Sequence, residues 1–399
     1  MHAHTILTHS PSTKVTILER SATALLHNQG AGVVAGSETQ QFFDTYVKAG
    51  RDIAVTSKQR LYLDRRGGIV EGSVENGQQR MTSWDLLYRL LRWRVDGMDA
   101  AEYLHAPDDD FGAETAMENS GPKATYHYGC TLTSLEPSAD SDGVHVTWTD
   151  KCGTTQSAIF DLLIAADGAS SSVRRMLAPD IKRTYAGYVA FRGTVRETDL
   201  SSAAAAVSVE KFAFYHAEGT QILAYLIPGE NGSLKTGNRL MNWVWYVNFE
   251  QGGKELEEVM TDGEGRRHAI TLPVGGMRDS VWRRQKAIAD ELLPPQFAEL
   301  VNKTQHPFVQ AITDALCEEN VFINGRVLLV GDALAGFRPH TAASTSQAAF
   351  NALTLGQWMQ GKIGRQEYRR RCLQYAREMQ RHGVVLGDRS QFGRHPFAA

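Results

Sequence analysis

The sequence predicts an α/β protein: a doubly wound domain with an inserted, mainly antiparallel β-sheet domain. Two observations carry this expectation. Apolar strands that run into acid-bearing corners occur both early and late in the chain, at residues 14–20, 160–166 and 326–332. Between them, residues 185–250 change to longer alternating strands rich in Tyr, Trp and Phe, the pattern of an antiparallel sheet. The first domain is therefore assigned residues 1–178 and 306–399, and the inserted domain 179–305.

Each element follows from local pattern. Residues 14–20 form a short strand closed by Glu19, and residues 28–36 a glycine-rich turn. Ser37 reads as the N-cap of a helix reaching about Ala49, and Ser83 as the cap of a helix over 83–95. Residues 99–123 are acidic and irregular, as in a surface insertion. Strand signals resume at 124–135 and 143–149. Residues 160–166 form a continuous apolar strand that ends at Asp167-Gly168 and three serines. Residues 280–303 and 364–382 show helical spacing, the latter with a basic face.

Composition narrows the class. With 399 residues, 42% hydrophobic and a net charge of −3, the chain lacks the electrostatic footprint of a nucleic-acid binder. No apolar run approaches the roughly 20 residues of a membrane span, and no secretory leader is evident. Cys130, Cys152, Cys317 and Cys372 lack metal spacing and read as free thiols in a reducing compartment. A cytoplasmic protein, with a homodimer as one assembly to test, is expected.

Three corners carry the chemistry. Glu19 closes a strand where dinucleotide-binding folds place an acid for ribose hydroxyls, though a surface Glu after a strand is common. Asp167-Gly168 offers a tight turn, serine cap oxygens and free N–H groups; a plain helix cap is the alternative. Gly331-Asp332, followed by Arg338-Pro339-His340 and a run of small residues, is the most specific. A carboxylate there can hold a polar cofactor chain, and the helix start around Ala342 to Thr345 can stabilise negative charge on an electron-rich ring. His340 is the better proton-transfer candidate of the corner, with a structural role equally open. In the middle domain Arg192, His216, Tyr225 and Tyr246 offer polar tips on an aromatic sheet. Alternation puts Trp243 and Trp245 on one face and Tyr246 on the other, so only one set can line a pocket.

Together with Ser83-Trp84-Asp85, Thr184 to Gly193 and Ala224 to Gly229, these residues make the chain similar to the single-component FAD-dependent aromatic hydroxylases, the para-hydroxybenzoate hydroxylase superfamily, from about Lys14 to Gln360. Within it, Tyr185-Ala186-Gly187-Tyr188 and Arg338-Pro339-His340 resemble a branch acting on N-heterocycles. The resemblance implies FAD as cofactor, NAD(P)H as co-substrate, and a small aromatic substrate hydroxylated with O2 through a C4a-hydroperoxyflavin. Glu19 would bind the adenosine ribose, Asp167 with Gly168 the pyrophosphate side, and Gly331 and Asp332 the ribityl chain. Pro339 and Thr345 would sit beside the reactive ring. His340 or His216 would act as base, with Arg192, Tyr225 and Tyr246 at the substrate. An epoxidase on the same scaffold is the rival enzyme.

The chain departs from that family in the small residues at Ala335 and Ala343–Ser346, where the wider superfamily favours His and a glycine-rich turn, and more seriously at its start. No Gly-x-Gly-x-x-Gly precedes Glu19, and residues 1–13 contain no glycine. The expectation is a missing central strand and most of its helix, with residues 4–8 as a candidate substitute strand. An incomplete gene product, or a flavin-free binding protein, would each account for this.

Overall fold

The computed structural model describes residues 1–24, 32–104, 121, 123–139 and 142–398. In chain order it begins with α1 (His2–His9), β1 (Thr16–Glu19), β2 (Gly32–Val34), α2 (Ser37–Phe42), β3 (Val55–Tyr62), β4 (Glu75–Ser83), α3 (Trp84–Asp96), α4 (Ala101–Leu104) and β5 (Thr125–Tyr128). A meander of β6 (Thr131–Pro137), β7 (Val144–Thr149) and β8 (Thr155–Phe160) leads to β9 (Leu163–Ala165) and α5 (Ser172–Leu177). Then come β10 (Thr184–Arg196), α6 (Ser202–Ser208), β11 (Lys211–Ala217), β12 (Thr220–Ile227), β13 (Leu240–Asn248), α7 (Lys254–Val259) and β14 (Thr271–Leu272). The chain closes with α8 (Asp279–Leu292), α9 (Pro295–Lys303), β15 (Phe308–Leu316), β16 (Val321–Phe322), β17 (Val327–Leu329), β18 (Ala335–Gly336), α10 (Ser344–Met359) and α11 (Arg365–Gln391).

The dominant structure is a mixed sheet in the order β14-β15-β10-β13-β12-β11-β3-β4-β2, antiparallel except where β11 meets β3. Its two faces follow side-chain alternation. One face buries Phe191, Trp243 and Trp245 against Leu256, Val281, Phe297 and Leu300 of α7, α8 and α9. The indole N–H of Trp243 donates to Thr304 Oγ1 at 2.8 Å, so its polar edge is satisfied inside this core. The opposite face carries Tyr188, Tyr225, Tyr246, Phe212 and Phe214 and looks toward the Gly331 corner.

The parallel sheet comes in two pieces. β1 pairs only with β5, and β9 pairs with β17, which pairs with β16. No described strand fills the other edge of β1 or of β9. Burial tracks this: every residue of β17 is buried, whereas β1 is half-buried throughout.

Several expectations are corrected. Residues 4–8 are helical, because Leu7 packs inward against Val95 and Ala124 while α1 lies along α10; so short a window held too little pattern to separate the two states. Residues 160–166 are not one strand: β8 ends at Phe160 in the meander and β9 starts a different sheet. Gly36, not Ser37, is the N-cap of α2, which continues as a π-helical turn to Val47. The helical stretch at 280–303 breaks at Pro294, and α11 runs on to Gln391. The boundaries at 178/179 and 305/306 do not enclose the large sheet, which also draws in β2, β3, β4 and β15. Residues 28–31 of the glycine-rich turn and most of the acidic insertion lie outside the described residues.

Candidate active site

The Gly331-Asp332 corner is built by cross-bracing. β17 is continuous and apolar, so its backbone can sit in the sheet interior, and the chain must then turn sharply. Gly331 takes φ +54, a conformation that favours glycine, and its N–H donates to Asn351 Oδ1 of α10 at 2.9 Å. The Gln347 amide donates to the Ala335 carbonyl at 2.8 Å, and Arg174 of α5 donates to the Ala333 carbonyl at 2.7 Å. Pro339 opens a one-turn 3-10 helix, Ala342 adopts φ +52, and α10 starts only at Ser344. The Pro-started helix of the sequence is therefore a turn plus a separate helix. Arg338 ties this turn to β15 and α11 through Asp314 at 2.7 Å and Asp388 at 2.6 Å. Where α11 crosses the corner, a Cβ on Gly387 would stand 2.6 Å from Tyr188 Oη and 3.0 Å from Arg338 Cδ.

Between this corner and the aromatic sheet face lies a cavity of about 330 Å³. Asp332, Pro339, His340 and residues 342–345 form one wall; Arg192, His216, Tyr225 and Tyr246 belong to the other. The alternation argument thus resolves in favour of Tyr246. The Asp332 carboxyl faces the cavity, is bonded by Ser344, and is pushed above the usual carboxylate range by desolvation against the opposing pull of Arg183 and Arg174. The backbone N–H groups of the first turn of α10 have no partner within the helix. His340 Nε2 lies 3.0 Å from Tyr188 Oη, and its ring sits 4.5 Å from that of Tyr246. Burial, then Arg338, lowers the imidazole to about 3, so it is neutral at physiological pH. His216 is lowered further, to about 2, by burial and by His395, and its Nδ1 is buried without a hydrogen bond. Arg192 Nε is likewise buried and unbonded, while its charge acts on Tyr225 and Tyr246.

The remaining expected residues lie elsewhere. Asp167 accepts from the hydroxyls of Ser171 (2.5 Å) and Ser172 (3.0 Å) and from the N–H groups of Ser172 (2.7 Å) and Val173 (3.2 Å). In this arrangement it caps α5, and Gly168 is the turn residue before it. Glu19 accepts from the Ser21 N–H at 2.7 Å at the end of β1. Neither lines the cavity. Sequence reasoning missed Tyr188, the partner of His340, and His395, which stacks on His216. The Tyr185-to-Tyr188 motif contained the first; nothing in the local pattern around residue 395 signalled the second.

The residues present fit the ring and ribityl half of a flavin dinucleotide. A half-buried carboxylate, a run of free N–H groups and an aromatic wall converge on one cavity, as such a ligand requires. At the pyrophosphate half, the split between β1 and β9 leaves no described strand.

A family model described as FAD binding domain-like matches residues 185–314, the central strands of the large sheet. The chain is 30% identical over 343 residues to 2,6-dihydroxypyridine 3-monooxygenase of Paenarthrobacter nicotinovorans, covering 86% of this chain and 76% of that protein. The structure of 2,6-dihydroxypyridine-3-hydroxylase from Arthrobacter nicotinovorans superposes with a TM-score of 0.78 at 28% identity, over 99% of this chain and 93% of that one. Klebsiella pneumoniae HpxO complexed with FAD and uric acid matches with a TM-score of 0.61 at 18% identity, over 95% and 89% of the two chains, a likeness of fold. With the cavity walls in place and a relative of this identity across most of the chain, the protein belongs to the FAD-dependent aromatic hydroxylases.

Proposed function

We propose that this protein hydroxylates an electron-rich aromatic or N-heterocyclic ring of the hydroxypyridine kind, using NAD(P)H and O2. The observation that carries the reading is the single cavity joining the Asp332 corner to an aromatic wall with a neutral histidine between them. Asp332 would hold the ribityl chain of FAD, and the start of α10 would face the electron-rich edge of its ring. FAD, once bound and reduced, supplies the oxygen-transfer chemistry.

The chain's own residues prepare the substrate. A hydroxylated ring reacts best as its anion, so a nearby acceptor raises its reactivity. In the tautomer whose Nε2–H donates to Tyr188, His340 leaves Nδ1 free to accept a hydrogen bond from the ring hydroxyl and so draw its proton away from the ring. Tyr188 is suited to stay a neutral partner, because burial raises its phenol well above the ordinary value. The Arg192 guanidinium attracts the resulting anion, and Tyr225 and Tyr246 supply flat contact surface. Glu19 and Asp167 are proposed to serve the adenosine and pyrophosphate ends; for Asp167 this requires releasing part of its cap.

The split of the parallel sheet favours a second reading, a flavin-free binding protein that keeps the ring cavity. Flavin absorbance of the purified chain, before and after FAD is added, separates the two. Uptake of FAD followed by NAD(P)H oxidation stimulated by 2,6-dihydroxypyridine is the result expected for the hydroxylase. A chain that neither retains nor takes up FAD sinks that reading.

A further inference from the structure

The segment that follows α11 returns to the cavity. The last turn of α11 is fastened to the large sheet: the Ser390 hydroxyl donates to Gln221 Oε1 at 2.5 Å, and the Asn248 amide donates to the Gln391 carbonyl at 2.8 Å. Phe392 then lies 6.1 Å from the Tyr188 ring. Beyond it the His395 imidazole rests flat on His216, with centroids 3.8 Å apart and planes 9° from parallel, and it also stacks on Tyr62 at 5.1 Å. Phe397 covers Tyr62 at 4.8 Å, and its N–H donates to His395 Nδ1 at 3.2 Å, which fixes the ring's orientation. His216 and His395 both line the cavity, as does Arg389 one turn earlier.

This is more than the end of a helix needs. Three rings from one short segment are laid against the same sheet face that forms the substrate wall, and one ring faces the cavity itself. Flat aromatic surface at van der Waals spacing is what a planar, electron-rich ligand stacks on. Burial holds both imidazoles uncharged near neutrality, at about 2 for His216 and about 4 for His395, so their contact carries no mutual repulsion.

We propose that residues 392–398 are a built-in wall of the substrate end of the cavity, and that His395 contacts the substrate ring and sets its affinity. The proposal rests on the ring-hydroxylase reading, and its test distinguishes the two. The probe is 2,6-dihydroxypyridine, titrated calorimetrically against the full chain supplied with FAD, and against His395→Ala, His395→Phe and a chain ended after Gly393. The expected result is a loss of about five- to tenfold in affinity for His395→Ala and for the shortened chain. His395→Phe, which keeps a flat ring, should return to within about twofold of the parent. Unfolding midpoints should be unchanged, and amide exchange of residues 392–398 should slow when the probe is present. Probe binding that is equal in all four chains overturns the wall while leaving the hydroxylase reading intact. A loss in the shortened chain alone overturns the assignment to His395. Failure of the parent itself to bind the probe overturns the ring reading and the wall with it.

Discussion

Two neighbouring regions are built to different standards. The Gly331 corner is tied to α10, α5, β15 and α11 by side-chain bonds to backbone and by two ion pairs. The parallel sheet beneath it is in two pieces, with β1 and β9 each presenting an edge that no described strand fills. The comparison shows that the ring half of the site does not take its geometry from a continuous parallel sheet. It is held by braces that reach the large antiparallel sheet instead.

The contrast can be broken most decisively at Asp332. Asp332→Ala should abolish FAD retention, read as loss of flavin absorbance, whereas Glu19→Ala should only weaken uptake. The reverse order would mean that the braced end is not what holds the cofactor. Next in size, Trp245→Ala in the sheet core should cost about 3–5 kcal/mol in urea unfolding, and Leu163→Ala on the half-buried edge of β9 about 1 kcal/mol. Arg338→Ala leaves Asp314 unpaired in a largely buried setting and should cost about 3 kcal/mol, with slower oxygen transfer because the Pro339 turn is unfastened.

Acid should act on the aromatic wall. His216 and His340 have folded values of about 2 and about 3, below the ordinary 6.5. Between those values the unfolded chain binds protons that the folded chain refuses. Their contribution is therefore complete above about pH 6.5 and is lost as pH falls toward 3. Denaturation midpoints should decline across that window, and His340→Gln should make the decline shallower; an unchanged slope would count against a neutral buried imidazole. The smallest effect is local: amides of β1 and β9 should exchange faster than those of β10 and β13 in a hydrogen-exchange map.

How much of this the sequence revealed depends on the range of the interaction. Gly331-Asp332 was legible because a tight turn after a buried strand is a local requirement, and the two tryptophans separated from Tyr246 by simple alternation. Asp167 was ambiguous because an acid before serines serves a helix cap and a ligand corner equally well. The attachment of β2, β3 and β4 to the large sheet was not legible, since alternation gives a strand its faces but not its partner. His395 on His216 joins positions 179 residues apart with no periodic signal around either, and only the folded chain brings them together.

Gly387 gives α11 a significance beyond packing. The helix rests on the Tyr188 hydroxyl and the Arg338 side chain at a point where any methyl group would intrude. The clearance between α11 and the histidine's hydrogen-bond partner is thus set by an atom the chain omits. Gly387→Ala, made without touching the cavity, acts as a wedge: it should shift the Tyr188–His340 contact and retune the proton acceptor from behind. The inner face of α11 becomes a handle on the chemistry of the ring.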